Sequence, residues 1–184
     1  MRVLAVIFFI GNVLYATAQA DIPIRTYATS HVGQSAPLID GQLDDPAWNE
    51  VDWAGEFVQR QPVDGAEPSQ ETQFKILYDE KYLYVGIRAF DTEPDKVVRR
   101  MSRRDGFEGD FVEINIDSYA DKRTAFSFSA SASGVKGEEY ISNNGDNWDS
   151  TWDPIWYLKT SLDDLGWIAE FKIPLSQLRF ADKE

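Results

Sequence analysis

One histidine, no cysteine and 31 carboxylates leave this sequence few ways to do covalent chemistry. His31 has no neighbouring nucleophile to activate, so no Ser–His relay can be assembled around it. No Gly-rich phosphate loop follows a strand-like run, and no His/Cys set offers ligands to zinc or another transition metal. Two carboxylates suffice for glycoside hydrolysis. With 31 acids some pair could always be named, so that pattern carries no information. Binding is better served. Phe107 stands just ahead of a strand-like run bearing Glu113 and Asn115, so a ring and two polar groups could share one face. Such a ring stacks on the C–H face of a sugar while carboxylate and amide meet its hydroxyls. Residues 143–153 form a second aromatic platform, where Trp148 and Trp152 stand among Asp146, Asp149 and Asp153. Oxygen-only ligands in a flexible loop are also what calcium selects, although the spacing is not that of an EF loop. No cofactor is required by these residues, and calcium is the ion they could take.

Strands must position these groups. In residues 105–134, Val112, Ile114 and Ile116 alternate with Phe111, Glu113, Asn115 and Asp117. Further on, Phe126, Phe128, Ala130 and Ala132 alternate with Ser127, Ser129, Ser131 and Ser133. Alternation at period two marks strands with one buried and one wet face, and the short polar connector 118–123 predicts an antiparallel hairpin. The outward face would carry carboxylates, amide and hydroxyls. Two more strands are expected at 72–78 and 82–90, joined by the tight turn Asp79-Glu80-Lys81. Further runs at 24–29, 135–142, 155–161 and 167–173 also read as strands. Asp44 or Asp45 ahead of Pro46 predicts a capped helical turn that carries Trp48 inward, and residues 174–178 a second short turn. About eight short strands with turn signals between them predict an all-β antiparallel sandwich with short helical turns.

The first twenty residues read as a signal peptide, with Arg2, an apolar run from Val3 and the small-x-small site Ala18-Gln19-Ala20. Export from the cytoplasm to the periplasm, outer-membrane surface or exterior follows as an expectation, as does a single domain over 21–184. No other apolar run is long enough to cross a membrane as a helix. Without cysteine, packing alone must stabilise an exported chain. A net charge of −13 disfavours nucleic acid and anionic lipid and suits a neutral or weakly charged ligand. Residues 96–104 are a basic island of five Lys and Arg, which reads as a solvated face or a contact for an acidic partner or an acidic sugar.

Four segments in order resemble the family 9 carbohydrate-binding modules and their relatives with a DOMON-like, jelly-roll fold. They are Ile39-Asp-Gly-Gln-Leu-Asp-Asp-Pro-Ala-Trp48, Tyr78-Asp-Glu-Lys-Tyr-Leu-Tyr-Val85, Asp110-Phe-Val-Glu-Ile-Asn-Ile-Asp117 and Gly166-Trp-Ile-Ala-Glu-Phe-Lys-Ile-Pro174. The resemblance implies a non-catalytic saccharide-binding sandwich. It places Phe107 where sugar-binding members have a stacking Trp, and Glu113 and Asp91 where they grip hydroxyls. It puts Ser129 where they have an arginine, which removes a bidentate donor. The family's second sandwiching Trp would lie past Glu184, so the resemblance also suggests a domain truncated at its C-terminal end. That end would continue into a longer bacterial envelope protein, where any hydrolase activity would reside in a linked domain. The alternatives are an interaction module that has lost its sugar and an accessory domain of a glycoside hydrolase.

Overall fold

The computed structural model describes residues 25–33 and 35–180. The expected signal peptide, the start of the first expected strand at Ile24 and the last four residues lie outside them. Among the described residues, no helix is long and apolar enough to cross a membrane. Among the described residues, nine strands form two sheets. β1 (Ser30–His31), β2 (Thr72–Tyr78), β3 (Tyr82–Phe90), β8 (Tyr157–Asp163) and β9 (Gly166–Pro174) make a five-stranded sheet in the order β1-β2-β3-β9-β8. β4 (Phe111–Ile116), β5 (Ala125–Ser131), β6 (Lys136–Ser142) and β7 (Asn147–Asp149) make a four-stranded sheet in chain order. Every pairing is antiparallel except β1 with β2. The helical turns are all 3₁₀: Pro46–Glu50, Pro94–Lys96, Asn143–Gly145 and Leu175–Gln177. The all-β sandwich expected from the alternation is therefore the fold.

The inner faces supply the core. Val85 and Ile87 of β3 and Ala169, Phe171 and Ile173 of β9 meet Phe126, Phe128 and Ala130 of β5. Trp156 sits between the sheets, stacked on Phe171 (5.4 Å, 8°) and edge-on to Phe128 (5.4 Å, 81°). Burying several large rings at about 25 cal/mol per Å² of apolar surface is the main stabilising term available to a chain without disulfides.

Local differences from the expected elements have local causes. Pairing of the first strand begins at Ser30, not Ile24, because residues 25–29 run past the sheet using side chains. There Tyr27 Oη donates to the Asp52 carbonyl and Thr29 Oγ1 to the Ile76 carbonyl. Asp45 is the residue before the 3₁₀ turn, yet its carboxylate caps nothing in it. It accepts from the Leu38 N–H instead (2.9 Å), which folds the preceding loop onto the turn. The basic island is neither helix nor strand beyond Pro94–Lys96; it is an irregular loop leading into β4.

Trp48 is buried as expected, on the outer face of the five-stranded sheet with Val32, Val51, Leu77 and Tyr84. What holds it there is Glu170 of β9, which is wholly buried. Its carboxylate accepts from the backbone N–H groups of Asp40 (3.0 Å) and Gly41 (2.7 Å) and from the Trp48 indole N–H (3.1 Å). Gly41 has φ +94°, and a Cβ there would lie 3.3 Å from Thr160, so the loop can lie this close only with glycine. Burial pushes the Glu170 carboxyl up to about 7, against three donors that favour its ionised form. The folded chain then keeps a proton that the unfolded chain sheds near 4.5, so this group's contribution to stability falls as pH rises from about 4.5 to about 7. Glu170→Gln sets an amide NH₂ against these N–H donors and should cost about 2 kcal/mol near pH 5. Near pH 8 the cost should be smaller, since only the wild type loses stability over that interval. Urea unfolding at the two pH values measures it; an equal cost at both would refute the assignment.

Candidate functional site

The polar face of the four-stranded sheet turns away from the core. Register places Phe111, Glu113 and Asn115 of β4 opposite Ser131, Ser129 and Ser127 of β5, and Ser129 and Ser127 opposite Gly137 and Glu139 of β6. Ile141 and Trp148 continue the same face onto β7. Glu113 is exposed and accepts from Asn115 Nδ2 (2.7 Å) and Ser129 Oγ (3.1 Å), so three of the expected residues form one hydrogen-bonded group. The serines, expected to be wet, are buried. They are small side chains lying between longer ones on both neighbouring strands. Ser131 Oγ meets Ser133 Oγ and the Val135 N–H, whereas Ser127 Oγ is buried with no partner among the described residues.

Phe107 reaches this face from the loop before β4. Its ring stacks on Phe111 (centroids 5.2 Å, 27°) and lies over Gly137, where a Cβ would come within 2.5 Å of it. It is half-buried, resting on the sheet with no layer of side chains between. Its loop is held at several points. Val98 and Asp110 exchange hydrogen bonds (2.8 and 3.1 Å), Ala132 N–H donates to the Asp110 carbonyl, and Asp105 Oδ1 accepts from the Glu138 N–H. Arg104 runs to the buried Glu138 (2.7 Å) and to Asp153 (2.6 Å), tying this loop to residues 143–156. The Trp156 indole N–H donates to the other oxygen of Glu138. A buried carboxylate with two donors is held firmly, and the loop that carries Phe107 is held with it.

The other candidate residues are placed differently. Trp148 is exposed on the same face, four residues along β6 from the Phe107 position, roughly 13 Å at the usual strand rise. Its indole N–H donates to the Gly145 carbonyl (2.8 Å). Trp152 turns the opposite way, into the core, against Phe126 (4.9 Å) and Phe128 (5.4 Å). Two residues of irregular chain separate β7 from Trp152, so no strand alternation keeps Trp152 on the side of Trp148. Asp91 follows the last residue of β3 in the other sheet, where its carboxylate accepts from the Glu93 N–H and, among the described residues, no hydrogen bond joins it to Glu113. The loop carboxylates are used separately, Asp149 by Thr151 and Asp153 by Arg104. Among the described residues no group of three or more His, Cys, Asp or Glu could hold a metal ion.

Phe111, Ser127 and Glu139 were not singled out by the sequence as site residues. For Glu139 the signal was present but doubled: Glu138 and Glu139 are adjacent, and only pairing shows which faces out. Burial pushes the Glu139 carboxyl up, and the Glu113 and Asp105 carboxylates push it the same way. The shelf is therefore acidic and aromatic at one end, over a floor of buried serines.

A family model described as "Carbohydrate family 9 binding domain-like" matches residues 39–184. No curated protein sequence matches. Two similar solved structures are of a carbohydrate-binding module family 9 from Caldicellulosiruptor kristjanssonii, one in complex with glucose and one with cellotriose. Both share 24% identity and a TM-score of 0.57, over 81% of this chain and 70% and 68% of those chains. A candidate carbohydrate-binding protein from Bacteroides uniformis is similar at 16% identity and a TM-score of 0.60, over 82% of this chain and 73% of that one. These likenesses confirm the fold.

Because Glu113 contributes to the shift of Glu139, Glu113→Gln should lower the Glu139 pKa toward the ordinary glutamate range. Carbon-detected NMR titration of the side-chain carboxyls reads this directly; an unmoved Glu139 would show that the two do not share the shelf.

Proposed function

The chain belongs to the carbohydrate family 9 binding domain-like proteins, a family of non-catalytic binding modules, and from that premise we propose that it holds a neutral saccharide on the outer face of β4–β7. The observation that carries this reading is the stacked pair Phe107–Phe111 at the head of a floor where Glu113 stays exposed. A pyranose laid on the rings would present its hydroxyls to that floor. Glu113 would accept from one hydroxyl, and the Asn115 amide would donate to or accept from another. Ser129 holds Glu113 from below and so positions it. Trp148, at the far end of the same face, would meet a second or third sugar unit.

A platform that is already rigid loses little entropy on binding, which favours a weakly interacting ligand such as a sugar. Crowding of Glu113, Glu139 and Asp105 supports a neutral ligand over a uronate. The neighbours crystallised with glucose and cellotriose make β-linked glucose units the first sugars to try. The exposed Glu113 favours binding over an interaction module with a closed face. We read the chain as exported, on the strength of residues 1–20, and as binding sugar without transforming it.

Isothermal titration with glucose, xylose and cellotriose tests the reading. Phe107→Ala should weaken the best of these by about tenfold, the loss of about 1.4 kcal/mol of stacking, with an unchanged far-UV spectrum. Glucuronate should bind more weakly than glucose. Heat that is the same in Phe107→Ala and wild type would remove the shelf from consideration.

A further inference from the structure

The opposite side of the sandwich carries an aromatic group that the shelf does not use. Trp53 is 41% exposed, between the buried turn of Trp48 and the bridge at Ala54. Its backbone is clamped on both sides. Ala54 and Phe74 exchange hydrogen bonds (2.9 and 2.8 Å), and Tyr27 Oη donates to the Asp52 carbonyl (2.9 Å). Lys75 Nζ lies 4.8 Å from the indole centroid and holds that side of the ring. Two concavities of about 610 and 640 Å³ adjoin the ring and share Trp53 and Gln73 between them.

We propose that this trough, on the outer face of the five-stranded sheet, is a second saccharide site organised on Trp53. The larger part of its chemistry lies toward β8. Phe90 and Ile168 provide apolar floor, and exposed Gln42 and Asp44 stand at the rim. Arg88 and Asp163 form a bidentate pair (2.7 and 2.8 Å) across the wall, with the Arg88 side chain only 10% exposed. Each volume falls within the range of small-molecule sites, and the lining mixes a fixed ring with amide, carboxylate and guanidinium groups. That combination fits a ligand with apolar faces and hydroxyl edges. A wholly apolar guest would leave Gln42 and Asp44 without partners, and an anion would meet Asp44 and Asp163. The neutral saccharide class follows, and an exposed ring on a clamped backbone loses less entropy on stacking than one on a free loop.

The trough shares no residue with the shelf, so the two readings succeed or fail separately. The test is a titration of the isotope-labelled full chain with cellotriose and xylotriose, followed at the tryptophan indole N–H signals. Trp53→Phe assigns the Trp53 signal by its loss. We expect that signal to shift saturably with at least one probe, and to do so equally in Phe107→Ala. Trp53→Ala should lower the calorimetric stoichiometry from two to one while the remaining site keeps its affinity. Should Trp53→Ala fail to fold, Trp53→Phe, which keeps a smaller ring, should weaken that site severalfold. A Trp53 signal unmoved by both probes, or one whose shift disappears with Phe107→Ala, overturns the proposal. A Trp53 response with no effect of Phe107→Ala on any binding would instead discard the shelf and leave the trough standing.

Discussion

A buried carboxylate fastens the loop around residues 40–48 to the five-stranded sheet. Glu170 gathers two backbone N–H groups of the 40–41 turn and the Trp48 indole N–H, all from a loop that has no strand of its own. Burying that carboxyl is costly, and the three donors offset part of the cost. Once Trp48 is seated, Lys75 can donate to its carbonyl, and Val51 and Leu77 close a second small core on the outside of the sheet. Residues 52–54 leave that core at a defined place, and so Trp53 does too.

The two outer faces are finished by different means. The five-stranded sheet is covered by the N-terminal loop, which buries one end and leaves a trough at the other. Among the described residues, the loop before β4 lies on the four-stranded sheet through the Phe107 ring over Gly137. Glycine at position 137 lets that ring lie flat, and the serines of β5 keep the floor low enough for Phe107 and Phe111 to stand above it. The same loop is tied through Arg104 and Glu138 to Trp156 at the centre of the core. Recognition at the surface is thereby coupled to packing between the sheets, and neither aromatic platform rests on a free loop.

Charge sets the chemistry the shelf can accept. Three carboxylates share a face with rings and hydroxyls, and their mutual repulsion already shows in the raised Glu139 carboxyl. A guest bringing hydroxyl donors relieves that crowding, whereas a guest bringing another negative charge adds to it. The basic island leaves this balance largely unchanged. Lys96 pairs with Glu93, and Arg104 is used internally.

Alternation alone determined much of this molecule. β2 and β3 occupy the residues their period-two pattern indicated, and in β4 each residue faces the side its parity required. Glu113 and Asn115 could be named because a strand of known parity puts side chains on a known face, whereas Phe107 precedes that strand and Ser129 was named through the family resemblance. Tertiary structure decided what parity cannot reach. Which of Glu138 and Glu139 faces out depended on the register with β5, and Trp152 parted from Trp148 because the chain between them is irregular. Asp91 fell in the other sheet, since strand order is set by long-range pairing and not by local pattern. The burial of the serines, the seat of Phe107 on Gly137 and the grip of Glu170 on Gly41 each join residues far apart in the chain. A one-dimensional pattern fixes the face a side chain takes, but the partner it meets there depends on how the sheets pack.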